Sequence, residues 1–160
     1  MHPVLNKPMI GHIVDTLKQA GVTRIVVVVG HDAQSVKDYL QDGVEYVSQV
    51  PQLGTGHAVM QADVLKELEG NTIVVNGDGP CIQKETIEKA FAANQHAVCT
   101  VLTSVLPDGE RYGRIVRDEN HQVARIVEAK DCSEEELNIK EINTGIFCFN
   151  TKELLSLIHI

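Results

Sequence analysis

The 160-residue chain has no tryptophan and only three phenylalanines and three tyrosines. So few flat side chains speak against a platform on which successive nucleobases of a strand could stack. Basic residues are in deficit as well. The net charge of −8 is opposite in sign to a surface that neutralises a phosphodiester backbone. Nucleic acid is therefore excluded as the expected partner. A single nucleotide is not, because backbone N–H groups, one or two cations and a divalent metal can hold it without a basic face. No apolar run approaches the roughly 20 residues needed to span a bilayer, and the start of the chain has no signal-peptide pattern. No membrane partner and a cytoplasmic location are the expectations. The four cysteines, Cys81, Cys99, Cys132 and Cys148, form no C-x-x-C pair, and the seven histidines show neither H-x-x-x-H nor H-E-x-x-H spacing. Zinc and dithiol redox chemistry thus have no motif to rest on.

What is present is a chain long enough for one domain with a substantial core, burying roughly 70% of its extended surface. Pro8 precedes an apolar pattern at helical spacing, Met9, Ile10, Ile13, Leu17 and Ala20, that Gly21 ends. The β-branched run Arg24–Gly30 follows, the pattern of a parallel strand covered on both faces. Further on, 33–40 reads as a helix, 44–48 as a strand, 56–68 as a helix, and Thr72–Asn76 as a second buried strand. Alternation of this kind means α/β layering with right-handed crossovers. A helix from about 84 to 94 leads to a strand over 97–105. Segments 113–118 and 122–129 then form a hairpin around Asp118–His121, and Glu141–Asn150 adds a last strand, so a mixed sheet is expected. Ser133 with Glu134–Glu136 reads as a capped helical turn. The chain opens on a loop-like Met-His-Pro with no strand before its first helix and closes on the apolar Leu155–Ile160 without a cap.

The richest local pattern is Gln49-Val-Pro-Gln-Leu-Gly-Thr-Gly-His57. Gln49 and Gln52 each offer a donor and an acceptor suited to the edge of a base. Gly54 permits close ligand approach, and Thr55 stands where it would cap the following helix. A strand-to-helix turn with solvated glutamines is the plain alternative. Asn76-Gly77-Asp78-Gly79-Pro80 follows a strand, which places Asp78 where open α/β sheets bind ligands and where a carboxylate, waters and phosphates suit Mg²⁺. Its plain alternative is an Asx turn. Three more polar clusters end apolar strands: Tyr112-Gly113-Arg114, Glu128 with Lys130, and Glu141-Ile-Asn143-Thr-Gly145. Each alone reads equally as a turn or a solvated strand edge.

In order, QxxQLGTGHA, NGDxP, YGRI, IVEAKD and EINTGI resemble the uridylyltransferase domain of the bifunctional GlmU family, over nearly the whole chain from His2 to about Leu155. The resemblance implies a Rossmann-like nucleotide-diphospho-sugar transferase fold with a mixed sheet. It implies a Mg²⁺-dependent enzyme that joins UTP to N-acetylglucosamine 1-phosphate and releases diphosphate. By the same likeness Gln49, Gln52, Gly54 and Thr55 hold the uridine part, and Asn76 and Gly77 line the same cleft. Asp78 binds metal, Gly113, Glu128 and Asn143 contact the sugar, and Lys130 lies near the phosphates.

Against that family, the pattern is that of a partial domain over 1–160, truncated at both ends. The family's first strand and glycine-rich loop, with an Arg and a following Lys, have no counterpart here. Neither do the second metal ligand, an Asn, or the hexapeptide repeats of the acetyltransferase domain, which make the full-length protein a homotrimer. Because that first strand is central in the sheet, two strands are expected to expose unpaired edges, and the isolated piece is expected to be poorly stable and inactive. Gly79-Pro80-Cys81 is a smaller departure, expected to alter packing rather than chemistry. Two other readings are a related sugar-1-phosphate nucleotidyltransferase and a non-catalytic nucleotide-sugar binding module.

Overall fold

The computed structural model describes residues 1–158 of the chain. In order the elements are β1 Pro3–Val4, β2 Lys7–Pro8, α1 Met9–Gln19, β3 Val26–Val29, α2 Ala33–Leu40 and β4 Glu45–Ser48. Next come α3 Thr55–Met60, β5 Asn71–Val74, α4 Lys84–Ala93, β6 Cys99–Val105, β7 Arg114–Arg117 and β8 Val123–Val127. Helix α5 Glu134–Leu137, β9 Glu141–Asn150 and α6 Thr151–Ile158 complete the chain. Most elements fall where periodicity puts them. Ser133 and Glu136 close a reciprocal capping box at α5, and Asp118 Oδ1 accepts the Asn120 and Gln122 amides in the β7–β8 turn.

Three local expectations need correction. The chain does carry strands before α1: β1 and β2 form a two-residue-turn hairpin, with Leu5 and Asn6 at φ 49° and 63°. Positive φ at both central positions is what matches such a turn to strand twist. The helix expected over 56–68 stops at Met60 and resumes only as a single 3-10 turn at Asp63–Leu65; the Gln61 backbone amide donates to the Ala58 carbonyl and its side-chain Nε2 to the His57 carbonyl. Thr55 caps nothing. Gly54 holds the N-cap position at φ 101°, without a side-chain bond to the helix. His159 and Ile160, the end of the expected uncapped apolar close, lie outside the described residues.

The strands divide between a parallel pair and an antiparallel sheet. β3 pairs in parallel with β4, Val26 opposite Glu45 through Val29 opposite Ser48. The larger sheet runs β5-β9-β7-β8, with β6 also paired to β9. Mixed pairing is present, but among the described residues no strand bonds β3 to β5. The expectation that both are fully covered strands therefore yields to half-burial: Val26–Val28 and Thr72–Val74 are partly exposed, and within β3 only Val29 is buried. The core lies on one side of them. Ile13 and Leu17 of α1 meet Ile87 of α4, which is completely buried, and Ile25, Ile73, Val75 and Phe91 pack around this nucleus. Burying each large aliphatic side chain there contributes about 1.5–3 kcal/mol.

Candidate functional site

The C-terminal ends of β3 and β5 open on a cleft of about 780 Å³. Gln49, Gln52, Gly54, Thr55, Asn76 and Gly77 all line it. Two segments separated by more than 20 residues in sequence are thereby brought to one mouth. Gln49 continues from β4, its backbone amide donating to the Val29 carbonyl at 2.8 Å. Its Nε2 donates to the Gly54 carbonyl at 2.9 Å and lies 3.1 Å from His57 Nδ1. With Nδ1 as the acceptor, both amide hydrogens of Gln49 point into the turn and Oε1 is left to accept from a ligand N–H. Gln52 reaches the other way, with its side-chain amide lying directly over Gly30.

A second group of polar residues assembles around a bulge in β9. Thr103 of β6 stands opposite Asn143, but Val101 stands opposite Phe147, so β9 carries the extra residues. Gly145 takes φ 74° there, a conformation that suits glycine. The bulge holds Asn143 Oδ1 on the Gly145 amide at 2.9 Å and brings the Gly145 carbonyl within 3.5 Å of Asn76 Nδ2. On the other side the Asn143 amide donates to the Gly113 carbonyl at 2.8 Å. A methyl group on Gly113 would stand 3.5 Å from Glu128 Oε1. Asn76, Gly145, Asn143, Gly113 and Glu128 therefore form one continuous run from the cleft to the β7–β8 hairpin.

Buried Arg114 fixes the loop that presents Gly113. Its guanidinium donates to the carbonyls of Gly109 at 3.0 Å, Glu110 at 3.2 Å and Tyr112. Arg114 is 2% exposed, and its Nε has no partner among the described residues. Gly109 has to be small, because a Cβ there would enter the guanidinium.

Asp78 is exposed in the turn after β5, and among the described residues no hydrogen bond ties its side chain. The Asx-turn alternative is absent: the Gly79 amide points to the Asn76 carbonyl instead, at 3.4 Å. A free, hard oxygen donor beside the cleft suits Mg²⁺ completed by waters and phosphates. No cluster of three metal-ligating side chains occurs among the described residues. Lys130 is exposed in a 3-10 turn just after Glu128 and lines neither cavity. Glu141 leaves the candidate set, because its carboxylate is taken by Arg117 at 2.6 and 2.7 Å.

Sequence reasoning passed over Gly30, His57, Arg114 and Gly145 as working parts of this region. His57, Arg114 and Gly145 each sit inside a motif already singled out. What hid them is that each acts on a neighbour's backbone or amide, which residue type alone does not show.

The chain is similar along residues 1–159 to the family model described as nucleotidyl transferase. It is 49% identical over 157 residues to the bifunctional protein GlmU of Lactobacillus delbrueckii subsp. bulgaricus, which covers 96% of this chain and 34% of that protein. To the bifunctional protein GlmU of Exiguobacterium sibiricum it is 51% identical, over 96% of this chain and 35% of that one. The chain thus spans about a third of the length of these curated relatives. Among solved structures, apo UDP-glucose pyrophosphorylase superposes with a TM-score of 0.82 at 19% identity, covering 99% of this chain and 70% of that one. A putative glucose-1-phosphate thymidylyltransferase from Bacillus anthracis gives 0.74 at 24%, over 94% and 62%. Those two likenesses establish the α/β nucleotide-sugar transferase architecture. With nearly every residue matched by the family model, the chain belongs to the nucleotidyl transferase family.

Proposed function

We propose that the chain is the uridylyltransferase part of a bifunctional cytoplasmic enzyme that makes UDP-N-acetylglucosamine from UTP and N-acetylglucosamine 1-phosphate. The observation that carries this reading is the single polar run from the Gln49–Thr55 turn through Asn76 and Asn143 to Glu128. The identity of about half to proteins named bifunctional GlmU supports this choice of sugar and base. In that setting the nucleotide sits at the mouth lined by Gln49, Gln52, Gly54, Thr55, Asn76 and Gly77. The sugar lies along Gly113, Glu128 and Asn143, a backbone carbonyl, a carboxylate and an amide that match vicinal hydroxyls and an acetamido group. The full-length protein is a homotrimer in this reading.

The reaction asks little covalent chemistry of the protein. An oxygen of the sugar 1-phosphate attacks the α-phosphorus of UTP, the new P–O bond forms, and the bond to the β-phosphate breaks with diphosphate leaving. The attacking phosphate is already ionised, so no proton has to move. The side chains supply position and charge neutralisation. Asp78 is the residue that would hold Mg²⁺, which when bound neutralises the phosphate oxygens, and Lys130 adds a cation from the sugar side.

Titration of UDP-N-acetylglucosamine into the chain tests the reading. We expect binding that Mg²⁺ strengthens, loss of the Mg²⁺ effect in Asp78→Asn, and about tenfold weaker binding in Gln52→Ala. UDP-glucose should bind less tightly. No binding, or equal binding of all nucleotide sugars, would sink it.

A further inference from the structure

His57, half-buried in the first turn of α3, has a glutamine amide against each of its ring nitrogens. Gln49 Nε2 lies 3.1 Å from Nδ1, and Gln61 Nε2 lies 3.3 Å from the ring Nε2. Gln61 stands four residues on, and so reaches the ring from the same face of the chain. Chemistry decides which end of each amide is the nitrogen. Gln49 Nε2 also meets the Gly54 carbonyl at 2.9 Å, and Gln61 Nε2 meets the His57 carbonyl at 3.0 Å. A carbonyl oxygen only accepts, so the amide end that faces it is the NH₂ group. The imidazole is therefore offered two donors.

A neutral imidazole carries one N–H and one bare nitrogen, and can accept from only one of the two amides. The shorter contact puts the bare nitrogen at Nδ1 and the proton at Nε2. With that tautomer both hydrogens of the Gln49 amide are engaged, and Oε1 is the end left for a ligand. The stem of Gln49 is anchored too, its backbone amide donating to the Val29 carbonyl at 2.8 Å. The opposite tautomer would set an N–H against the Gln49 NH₂. The amide would then turn over, give up the Gly54 carbonyl and present its NH₂ to the cleft. Gln49 lines that cleft and His57 does not, so any influence of His57 on a ligand passes through Gln49.

We propose that His57 is a specificity-determining residue that acts by orienting the Gln49 amide. With Oε1 held outward, the turn accepts a base whose ring nitrogen carries a hydrogen, as N3 of uracil does. Cytosine is rejected, because its bare N3 would place one acceptor against another. The inference rests on the reading that the Gln49–Thr55 turn holds the base of a nucleotide.

The first measurement needs no variant: long-range proton–nitrogen NMR of the ¹⁵N-labelled chain, free and with UDP, distinguishes a protonated ring nitrogen from a bare one. We expect Nδ1 bare and Nε2 protonated in both. Calorimetric titration of UDP and CDP then reads the selectivity in the parent and in two variants. His57→Asn keeps an acceptor oxygen at the place of Nδ1, whereas His57→Gln moves the amide out to the place of Nε2. UDP should bind the parent about tenfold more tightly than CDP, a preference that persists in His57→Asn and falls below about threefold in His57→Gln. A proton on Nδ1 in the UDP complex would overturn the inference. So would equal binding of UDP and CDP by the parent, or an equal loss of preference in both variants, which would mark His57 as a packing residue. Those results leave the proposed activity standing if UDP-N-acetylglucosamine still binds. Failure of both UDP and UDP-N-acetylglucosamine to bind would remove that reading and this inference together.

Discussion

The side-chain amide of Gln52 occupies the space above Gly30 that a methyl group would fill. A residue at the end of β3 thus sets the position of a residue in the glycine-paced turn, more than 20 positions later. Gly30→Ala is expected to push Gln52 aside. Because Gln52 is exposed, the stability change should stay within about 0.5 kcal/mol. Affinity for UDP-N-acetylglucosamine should fall about tenfold, as in Gln52→Ala, and calorimetric titration of both variants checks this. Equal affinity of Gly30→Ala and the parent would separate Gln52 from the site.

Arg114 should respond very differently. Replacing it by Met leaves the carbonyls of Gly109, Glu110 and Tyr112 without their donor in a buried setting, a loss of about 2–4 kcal/mol. Gly109→Ala should destabilise as well, since its methyl collides with the guanidinium. In the double variant that collision is gone, so the two losses should be less than additive in urea unfolding. Strict additivity would contradict the packing described.

The Arg117–Glu141 pair clamps β7 to β9, and its hydrogen bond holds the Glu141 carboxyl below the ordinary glutamate range. A depressed carboxyl stabilises the fold above its unfolded pKa of about 4.3 and loses that contribution as pH falls through the lower folded value. Thermal melts from pH 7 down to pH 3 should therefore show a decline below about pH 4.5. In Glu141→Gln this portion of the decline should be missing and the plateau at pH 7 lower.

Thiol labelling distinguishes the cysteines. Burial, with a smaller contribution from neighbouring Cys99, pushes the Cys148 thiol up to about 11, and the side chain is inaccessible. At pH 8 a disulfide reagent should modify exposed Cys81 quickly and Cys148 only on unfolding. Rapid labelling of Cys148 in the native chain would show that β9 opens locally.

Much of this was legible in the residues. Apolar spacing located α1, α4 and the hairpin, and the run Glu141–Asn150 is β9 to the residue. The motifs QxxQLGTGHA and NGDxP contain Gln49, Gln52, Gly54, Thr55, Asn76 and Gly77, which line the cleft. Less legible were features that depend on distant partners. Val26–Val28 read as a fully covered strand because β-branched runs record the environment a segment is suited to, while half-burial follows from an unpaired edge. Thr55 looked like a cap by residue type, yet Gly54 at positive φ carries the chain into α3 without one. Arg114 was quoted as part of YGRI, but its burial follows from three carbonyls contributed by a loop whose path cannot be read from a tetrapeptide.

Strand β9 pairs with β5, β6 and β7. During synthesis this makes the last long strand the one that earlier strands await. The roughly 75 residues from Val74 to Asn150 take about 4–15 s to emerge at 5–20 residues per second. Until then β5 has no partner along the edge that β9 later fills, and its apolar residues are exposed to other nascent chains. The order of the strands thus makes this chain a natural client for chaperones that shield a half-made sheet on the ribosome.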